Sequence, residues 1–385
     1  MTSSRPAGSV PRILGVDAAR GVALVGMMAV HVLPGADARG NQTPLHEVFG
    51  GRAAATFAVL AGVGLALMTR RARDGDDDRG RSSEVASVLV RALLIGAVGL
   101  ALGDRRSGVA VILAYYALLF VLAIPLLRLR RGSLVAVAVG VALLGPFVSY
   151  LLRGDQGLPF GGANPTFDIA VESPLGLIWG LGLLGYYPAF IWLAYVCTGL
   201  AAGRLALVER RTAGGLLVGG AVLATVGAAA SAMLLGPLDG RSEIAARASA
   251  EQLRALDQGH SMFGNTPTDT WWWLAVDAPH SSTPPDLVHT AGTALAVLGA
   301  LLLLERYAGR LLLPLAAAGS MTLTLYTLHV WLLSTGWLPD DRETSYTVQV
   351  AGALVLATLW RHWFRRGPLE AVVARASSAA GRAVG

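Results

Sequence analysis

Apolar stretches fit to cross a lipid bilayer recur along nearly the whole of this chain. They fall at residues 13–33, 53–68, 88–102, 108–127, 134–152, 187–207, 216–235, 290–304, 311–333 and 348–363. Hydrocarbon offers no water to backbone polar groups, so a spanning segment must bond them internally, and apolar runs of this length are read as helices. The pattern predicts an all-α, polytopic integral membrane protein with about ten transmembrane helices. Composition agrees: of 385 residues 54% are hydrophobic and 15% charged, with a mean hydropathy of +0.55, unlike a soluble domain. Residues 175–185 are apolar but about a dozen long, which suits a re-entrant or interfacial piece.

Arginine placement predicts the orientation. Arg5 and Arg12, Arg70, Arg71 and Arg73, Arg128, Arg130 and Arg131, Arg210 and Arg211, Arg306 and Arg310, and Arg365 and Arg366 all fall on one side if the N-terminus is cytoplasmic. Both termini are therefore expected in the cytoplasm, with residues 1–12 and 369–385 as tails and a single domain over 13–363. Arg105, Arg106, Arg241, Arg247 and Arg254 are exceptions, the last three in a long loop where the rule is weak. The net charge of +6 comes from arginine alone, since there is no lysine. Coding bias and the positive-inside rule explain it better than nucleic-acid binding, which is not expected. Residues 74–81, a mixed charge run, read as a solvated cytoplasmic loop. No removable signal peptide is expected, because residues 1–11 are short and polar. Residues 369–385 read as a weakly amphipathic helix on the inner membrane surface.

The first apolar stretch carries three ionisable groups. At about 100° per residue, Asp17, Arg20 and His31 share a sector roughly 60° wide, and about 16 Å separates Arg20 from His31 along the axis. A charge at membrane depth costs roughly 2.5–3.5 kcal/mol, so this face should look into a bundle interior or a wet cavity. Asp17 and Arg20 can pair with each other, and Arg20 can also hold a phosphate at the cytoplasmic mouth. His31 and, in the first outer loop, His46 with Glu47 and Arg52 nearby are candidate bases or nucleophiles. His280, His289 and His329 are weaker candidates, and His362 reads as a surface group. No histidine pair sits at metal-ligand spacing, and the single Cys197 excludes an internal disulfide.

Three outer connections, 34–51, 153–186 and 236–289, are longer than turns need. The last holds Trp271, Trp272 and Trp273, which suit an interfacial aromatic belt or an aromatic platform for an acceptor. Gly199 and Gly203, and Gly214, Gly215, Gly219 and Gly220, are small residues suited to close helix approach rather than phosphate binding.

Val16-Asp17-Ala18-Ala19-Arg20-Gly21-Val22-Ala23, followed by His46 ahead of Phe57-Ala58-Val59-Leu60-Ala61-Gly62, resembles the heparan-α-glucosaminide N-acetyltransferase-like membrane proteins. Gly185-Tyr186-Tyr187-Pro188 with Trp192, Tyr195, Gly203 and Arg204, then Pro279-His280-Ser281-Ser282-Thr283, then Gly319-Ser320-Met321-Thr322-Leu323-Thr324-Leu325-Tyr326, are similar to a bacterial branch of DUF1624/DUF418 type. The likeness covers a first-helix region over 12–70 and a C-terminal region over about 185–363.

The resemblance implies transfer of an acyl group from cytosolic acyl-CoA, through the inner membrane, to an acceptor on the far side. The family's catalytic histidine maps onto His46. The related acyltransferase-3 sugar acetylases place an arginine and a histidine at opposite ends of the first helix, which matches Arg20 and His31. The link from His46 to Gly62 is shorter than in the eukaryotic enzyme, and a large lumenal domain is not expected, so heparan is not the expected acceptor.

On this reading His46 and His31 are the catalytic candidates. Arg20 and Asp17, with Arg70 and Arg71, face the donor. Arg52, His280, Ser281 and Trp272 face a sugar, lipid or cell-wall acceptor. Acyl-CoA is a co-substrate, no cofactor or metal is bound, membrane lipids surround the chain, and a homodimer is compatible with it. The rival expectation is a transporter or flippase using the Asp17, Arg20 and His31 face, and a third is a non-catalytic membrane partner.

Overall fold

A computed structural model describes residues 12–74, 78–154 and 159–384 of the protein. The tail before Arg12 (with Arg5), the centre of the 74–81 charge run and the side chains of Arg71 and Arg73 lie outside the described residues. Helices α1 (Leu14–Val32), α2 (Pro44–Phe49), α3 (Arg52–Asp74), α4 (Asp78–Gly103), α5 (Leu113–Ala123) and α6 (Arg131–Arg153) form the first part of the bundle. Short α7 (Phe167–Glu172) and α8 (Pro174–Trp179) lead to α9 (Ala189–Gly203) and α10 (Arg210–Leu235). After α11 (Gly240–Ala245) and α12 (Ala250–Asp257) come α13 (Pro284–Ala308), α14 (Leu313–Gly319), α15 (Thr322–Leu333), α16 (Arg342–Trp363) and α17 (Pro368–Val384).

Every apolar stretch read from the sequence lies on one or more of these helices. Among the described residues six are long and apolar enough to cross a membrane, and up to eight if each of two bent pairs counts as one span. Leu113–Leu126 is apolar but shorter. The six to eight candidate spans among the described residues are consistent with a polytopic membrane protein, fewer than the ten or so that the sequence predicts. One bent pair joins Pro174–Leu184 to α9 at 59°, where the sequence predicts a re-entrant piece.

The other bend, 79° between α14 and α15, arises where Met321 leaves helical geometry (φ −137°, ψ 41°). A break inside an apolar bundle strands the first amides of the next helix, and these need acceptors. Glu370 of α17 supplies them. Its Oε1 accepts from the amides of Leu323 (2.7 Å) and Thr324 (3.1 Å), and its Oε2 from Thr324 Oγ1 (2.6 Å). The remainder of α17 packs along α4, burying Val373, Ser377 and Gly381 at four-residue spacing.

Close approach of helices depends on small residues, because lipid offers no hydrophobic drive for association. A Cβ on Gly199 of α9 would lie 1.9 Å from the Val59 carbonyl of α3. Gly220 and Gly227 of α10 lock in the same way against Gly292 and His289 of α13, whereas Gly214, Gly215 and Gly219 face open space. Helix α1, surrounded by α3, α13, α14 and α16, is buried along most of its length.

Two ends of the bundle differ. One gathers Arg12, Arg70, Arg128, Arg204, Arg306 and Arg361 and is called here the basic end. The other carries the long connections. There residues 236–283 form a cap with its own small core of Ile244, Trp273, Val276 and Ala278. Buried Arg153 pins this cap to α6 through the Gly264 carbonyl (2.9 Å), Asn265 Oδ1 (3.0 Å) and Thr266 Oγ1 (3.1 Å).

Gly199→Leu should force α3 from α9 and destabilise the fold by about 1–3 kcal/mol, as overpacking does. Gly219→Leu should leave stability unchanged. Thermal melting of the two purified variants checks this, and equal melting points would contradict the packing described.

Candidate functional site at the core of the bundle

The ionisable face of α1 turns inward. Asp17 is buried, and Arg20 Nη1 donates to its Oδ1 at 3.2 Å, one helical turn away. Arg12 Nε approaches the other oxygen at 4.0 Å. Arg20 Nη2 also donates to the Leu60 carbonyl of α3 at 3.2 Å. Gly64 makes room for that guanidinium, since a Cβ there would stand 2.7 Å from Nη2. The Asp17–Arg20 pairing expected from the sequence is present, and the pair is shared with a main-chain acceptor.

At the other end of the same face, His31 Nδ1 meets His329 Nε2 of α15 at 3.0 Å, with the rings within 12° of parallel. His329 Nδ1 in turn lies 2.7 Å from Gln349 Oε1 of α16, and Gln349 Nε2 donates to Ser345 Oγ at 3.3 Å. An amide oxygen only accepts, so His329 carries its proton on Nδ1 and its Nε2 is an acceptor. His31 then donates from Nδ1. This assignment leaves the Nε2 of neutral His31 with a free lone pair, the form a proton acceptor needs.

His31 lines a narrow crevice whose walls are Met27, Phe49, Phe57, Tyr116, Tyr187, Tyr326 and His280. His280 is buried between Phe263 and Trp192, with both rings nearly parallel to its own (8° and 10°). Its backbone has φ +57° and its Nδ1 has no hydrogen-bond partner. Burial pushes the His280 imidazole down to about 4, so it is neutral at physiological pH.

The remaining predicted site residues divide. His46 sits on α2 outside the crevice lining, bonded to the Val30 carbonyl, with Nδ1 3.4 Å from Thr43 Oγ1. It is an electrostatic neighbour of His31, so both candidate histidines stand at the same end of α1. Arg52 borders a second, roomier and more polar cavity, together with Gln42, Glu47, Asp277 and Asp286. Arg52 Nη1 donates there to the Glu47 carbonyl at 2.5 Å. Gly50–Gly51 and Pro279–His280 separate the two cavities.

Ser281 lines neither cavity. Its hydroxyl bonds the Val276 carbonyl and Thr283 inside the turn that leads into α13. Trp272 lies against Gly240 in the cap, Trp273 fills the cap core, and Trp271 stacks on Tyr150 (4.1 Å between centroids). His289 pairs with Asp277 at 2.6 Å. Gln349 and Arg91 escaped the sequence reading. Arg91 stands inside the apolar span Gly80–Gly103, and the cost of a charge at that depth is the signal that could have marked it; Gln349, in the polar first half of α16, carries no such signal.

A family model described as heparan-alpha-glucosaminide N-acetyltransferase, catalytic, matches residues 12–230. The chain belongs to this family. The match covers α1 and its polar face, the whole α2–α3 segment and the helices as far as α10, and stops short of α13–α17. No curated protein matches the chain. With its apolar helices, membership makes it a multi-pass membrane protein of the N-acetyltransferase type.

The His280 imidazole has its folded value near 4 and its free value at 6.5. The unfolded chain therefore takes the proton first on acidification. His280 contributes stability in full above pH 6.5 and loses it as pH falls toward 4. His280→Asn, which tolerates φ > 0 and does not titrate, should show a shallower acid decline in melting temperature than the parent protein. Parallel declines would contradict the burial of a neutral imidazole.

Proposed function

We propose that this protein moves an acetyl or other acyl group from acyl-CoA at its basic end to an acceptor at its loop end. One observation carries the reading. The inward face of α1 joins a guanidinium at one end to a histidine with a free Nε2 at the other. The basic end is taken as cytoplasmic, with both termini there, about ten spans counting the broken ones, and a bacterial inner membrane as location.

In the proposed reaction the acceptor enters through the loop end, a sugar, lipid headgroup or wall component bearing an amine or hydroxyl. His31 Nε2 takes the acceptor proton as its nitrogen or oxygen attacks the thioester carbonyl. The tetrahedral intermediate expels the CoA thiolate, which receives that proton, so the imidazole is regenerated. His329 accepts the hydrogen bond from His31 Nδ1 throughout, and Gln349 holds His329 in the tautomer that allows it. His280 and the crevice tyrosines exclude water that would otherwise hydrolyse the thioester. Arg20 would face the donor's phosphates, with Asp17 holding its side chain in place.

His46 stays a candidate for the same role, because the family's catalytic histidine maps there and it stands at the same end of α1 as His31. Acetyl transfer in membranes from radiolabelled acetyl-CoA separates the two. His31→Ala should lower turnover by about 10²–10⁴-fold, the usual contribution of general base catalysis, and His46→Ala by much less. The reverse ranking moves the chemistry to His46, and full activity in both rejects the mechanism. Gln349→Leu should lower turnover by at least tenfold while leaving donor affinity intact, because it frees the His329 tautomer. An unchanged rate would remove Gln349 from the relay.

A further inference from the structure

We propose that His280 and Tyr326 form an oxyanion site in the crevice, donating two hydrogen bonds to the thioester carbonyl oxygen as it takes up negative charge. This role rests on the acyl-transfer reading and adds to it the groups that stabilise the tetrahedral intermediate.

Both side chains are buried, and both line the same crevice as His31. Tyr326 stands three residues before His329 on α15, so the two share one side of that helix, and His329 bonds His31 at 3.0 Å. Tyr326 thus reaches the crevice from the helix that already holds the base. His280 comes from the cap, where Phe263 and Trp192 stack on its ring (centroids at 5.6 and 6.2 Å) and Tyr187 meets it edge-on at 5.3 Å.

Three tyrosines line the crevice, and their hydroxyls differ. Tyr187 donates to the Ala110 carbonyl at 3.0 Å and Tyr116 to the Ala54 carbonyl at 3.4 Å, so both protons are committed. The Tyr326 oxygen instead accepts from the Ile112 amide at 3.3 Å, and among the described residues no acceptor takes its proton. His280 and His329, both buried, contrast in the same way. His329 uses both nitrogens, one toward His31 and one toward Gln349. His280 uses neither among the described residues, and its Nδ1 is sealed from solvent as well as unbonded. A ligand can therefore meet this ring only at Nε2. An unsatisfied buried lone pair is cheaper than an unsatisfied buried N–H, which puts the proton of the neutral ring on Nε2, as a donor. Its φ of +57° is one that residues other than glycine rarely hold, and such strain concentrates where a side chain must be aimed.

When the acceptor's nitrogen or oxygen attacks, the carbonyl π pair moves onto oxygen and the acceptor proton goes to His31 Nε2. His280 and Tyr326 keep their protons and hold the new oxyanion by charge-assisted hydrogen bonds. As the pair returns, the C–S bond breaks, and the CoA thiolate takes the proton from His31. Both residues lie beyond the family match at 12–230, so this half of the site belongs to the chain's C-terminal part.

Isotope-edited infrared spectra of bound acetyl-CoA, labelled at its thioester carbonyl, test this on the full chain in nanodiscs. The stretch in the parent complex should fall below that of free acetyl-CoA, and Tyr326→Phe and His280→Asn should each return it toward the free value. With glucosamine as the acceptor probe, kcat should drop by about 10²-fold in each variant, as for losing one oxyanion donor, at unchanged KM for acetyl-CoA. Tyr326→Phe keeps the ring, so it carries the test if His280→Asn fails to fold. The carbonyl readout needs no acceptor and decides the matter whether or not glucosamine is a substrate. A parent-like stretch in both variants, or a raised KM at parent kcat, overturns the oxyanion role and leaves acyl transfer standing. A parent protein that binds no acetyl-CoA contradicts acyl transfer itself, and the oxyanion role falls with it.

Discussion

Asp17 and Arg20 lie 3.2 Å apart inside a bundle whose other walls are largely apolar. Each charge alone would cost several kcal/mol to keep from water, and removing one partner would strand the other. Pairing, a shared Leu60 carbonyl and the space above Gly64 satisfy both without exposing them to lipid. The same helix then reaches His31, which is satisfied by a second histidine rather than by water. These demands decide what can surround α1: a glycine on α3, a glycine-ended α14 against Asp17, and a broken α15 that brings His329 into register.

The break between α14 and α15 links distant parts of the chain. It frees backbone amides that Glu370 of α17 must accept, and it aims α15 so that His329 meets His31. The C-terminal helix therefore supports the histidine pair through a chain of hydrogen bonds, although it touches neither ring. In the proposed reaction this gives the last residues of the protein a part in positioning the base. It also explains why α17 packs along α4 instead of standing apart as the amphipathic surface helix its sequence suggests: a carboxylate delivered to a buried helix start requires a helix docked beside it.

Much of this was legible before any coordinates. Apolar length marks the helices because bilayer and bundle interiors impose the same backbone accounting, and the 100° step places Asp17, Arg20 and His31 on one face. The glycine readings divided: Gly199 and Gly220 mark close approaches, but Gly219 points outward, and spacing alone cannot say which side of a helix meets a neighbour. The tryptophan triplet suits a belt or a platform in the sequence, yet Trp273 is the centre of the cap core, a long-range packing fact invisible in a local pattern. His329 looked weak because its partner Gln349 is twenty residues away on another helix. Arg91 is masked by averaging, since a single arginine leaves the apolar stretch around it fit to span a membrane.

Acyl transfer across the membrane requires a passage for chemistry through the bundle along α1. Sided proteoliposomes test it directly, with radiolabelled acetyl-CoA supplied only at the basic face and an impermeant amino-sugar acceptor only at the loop face. Acetylated acceptor should accumulate in this arrangement and not when the two compartments are exchanged. Product formed only with donor and acceptor in the same compartment would contradict transfer across the membrane.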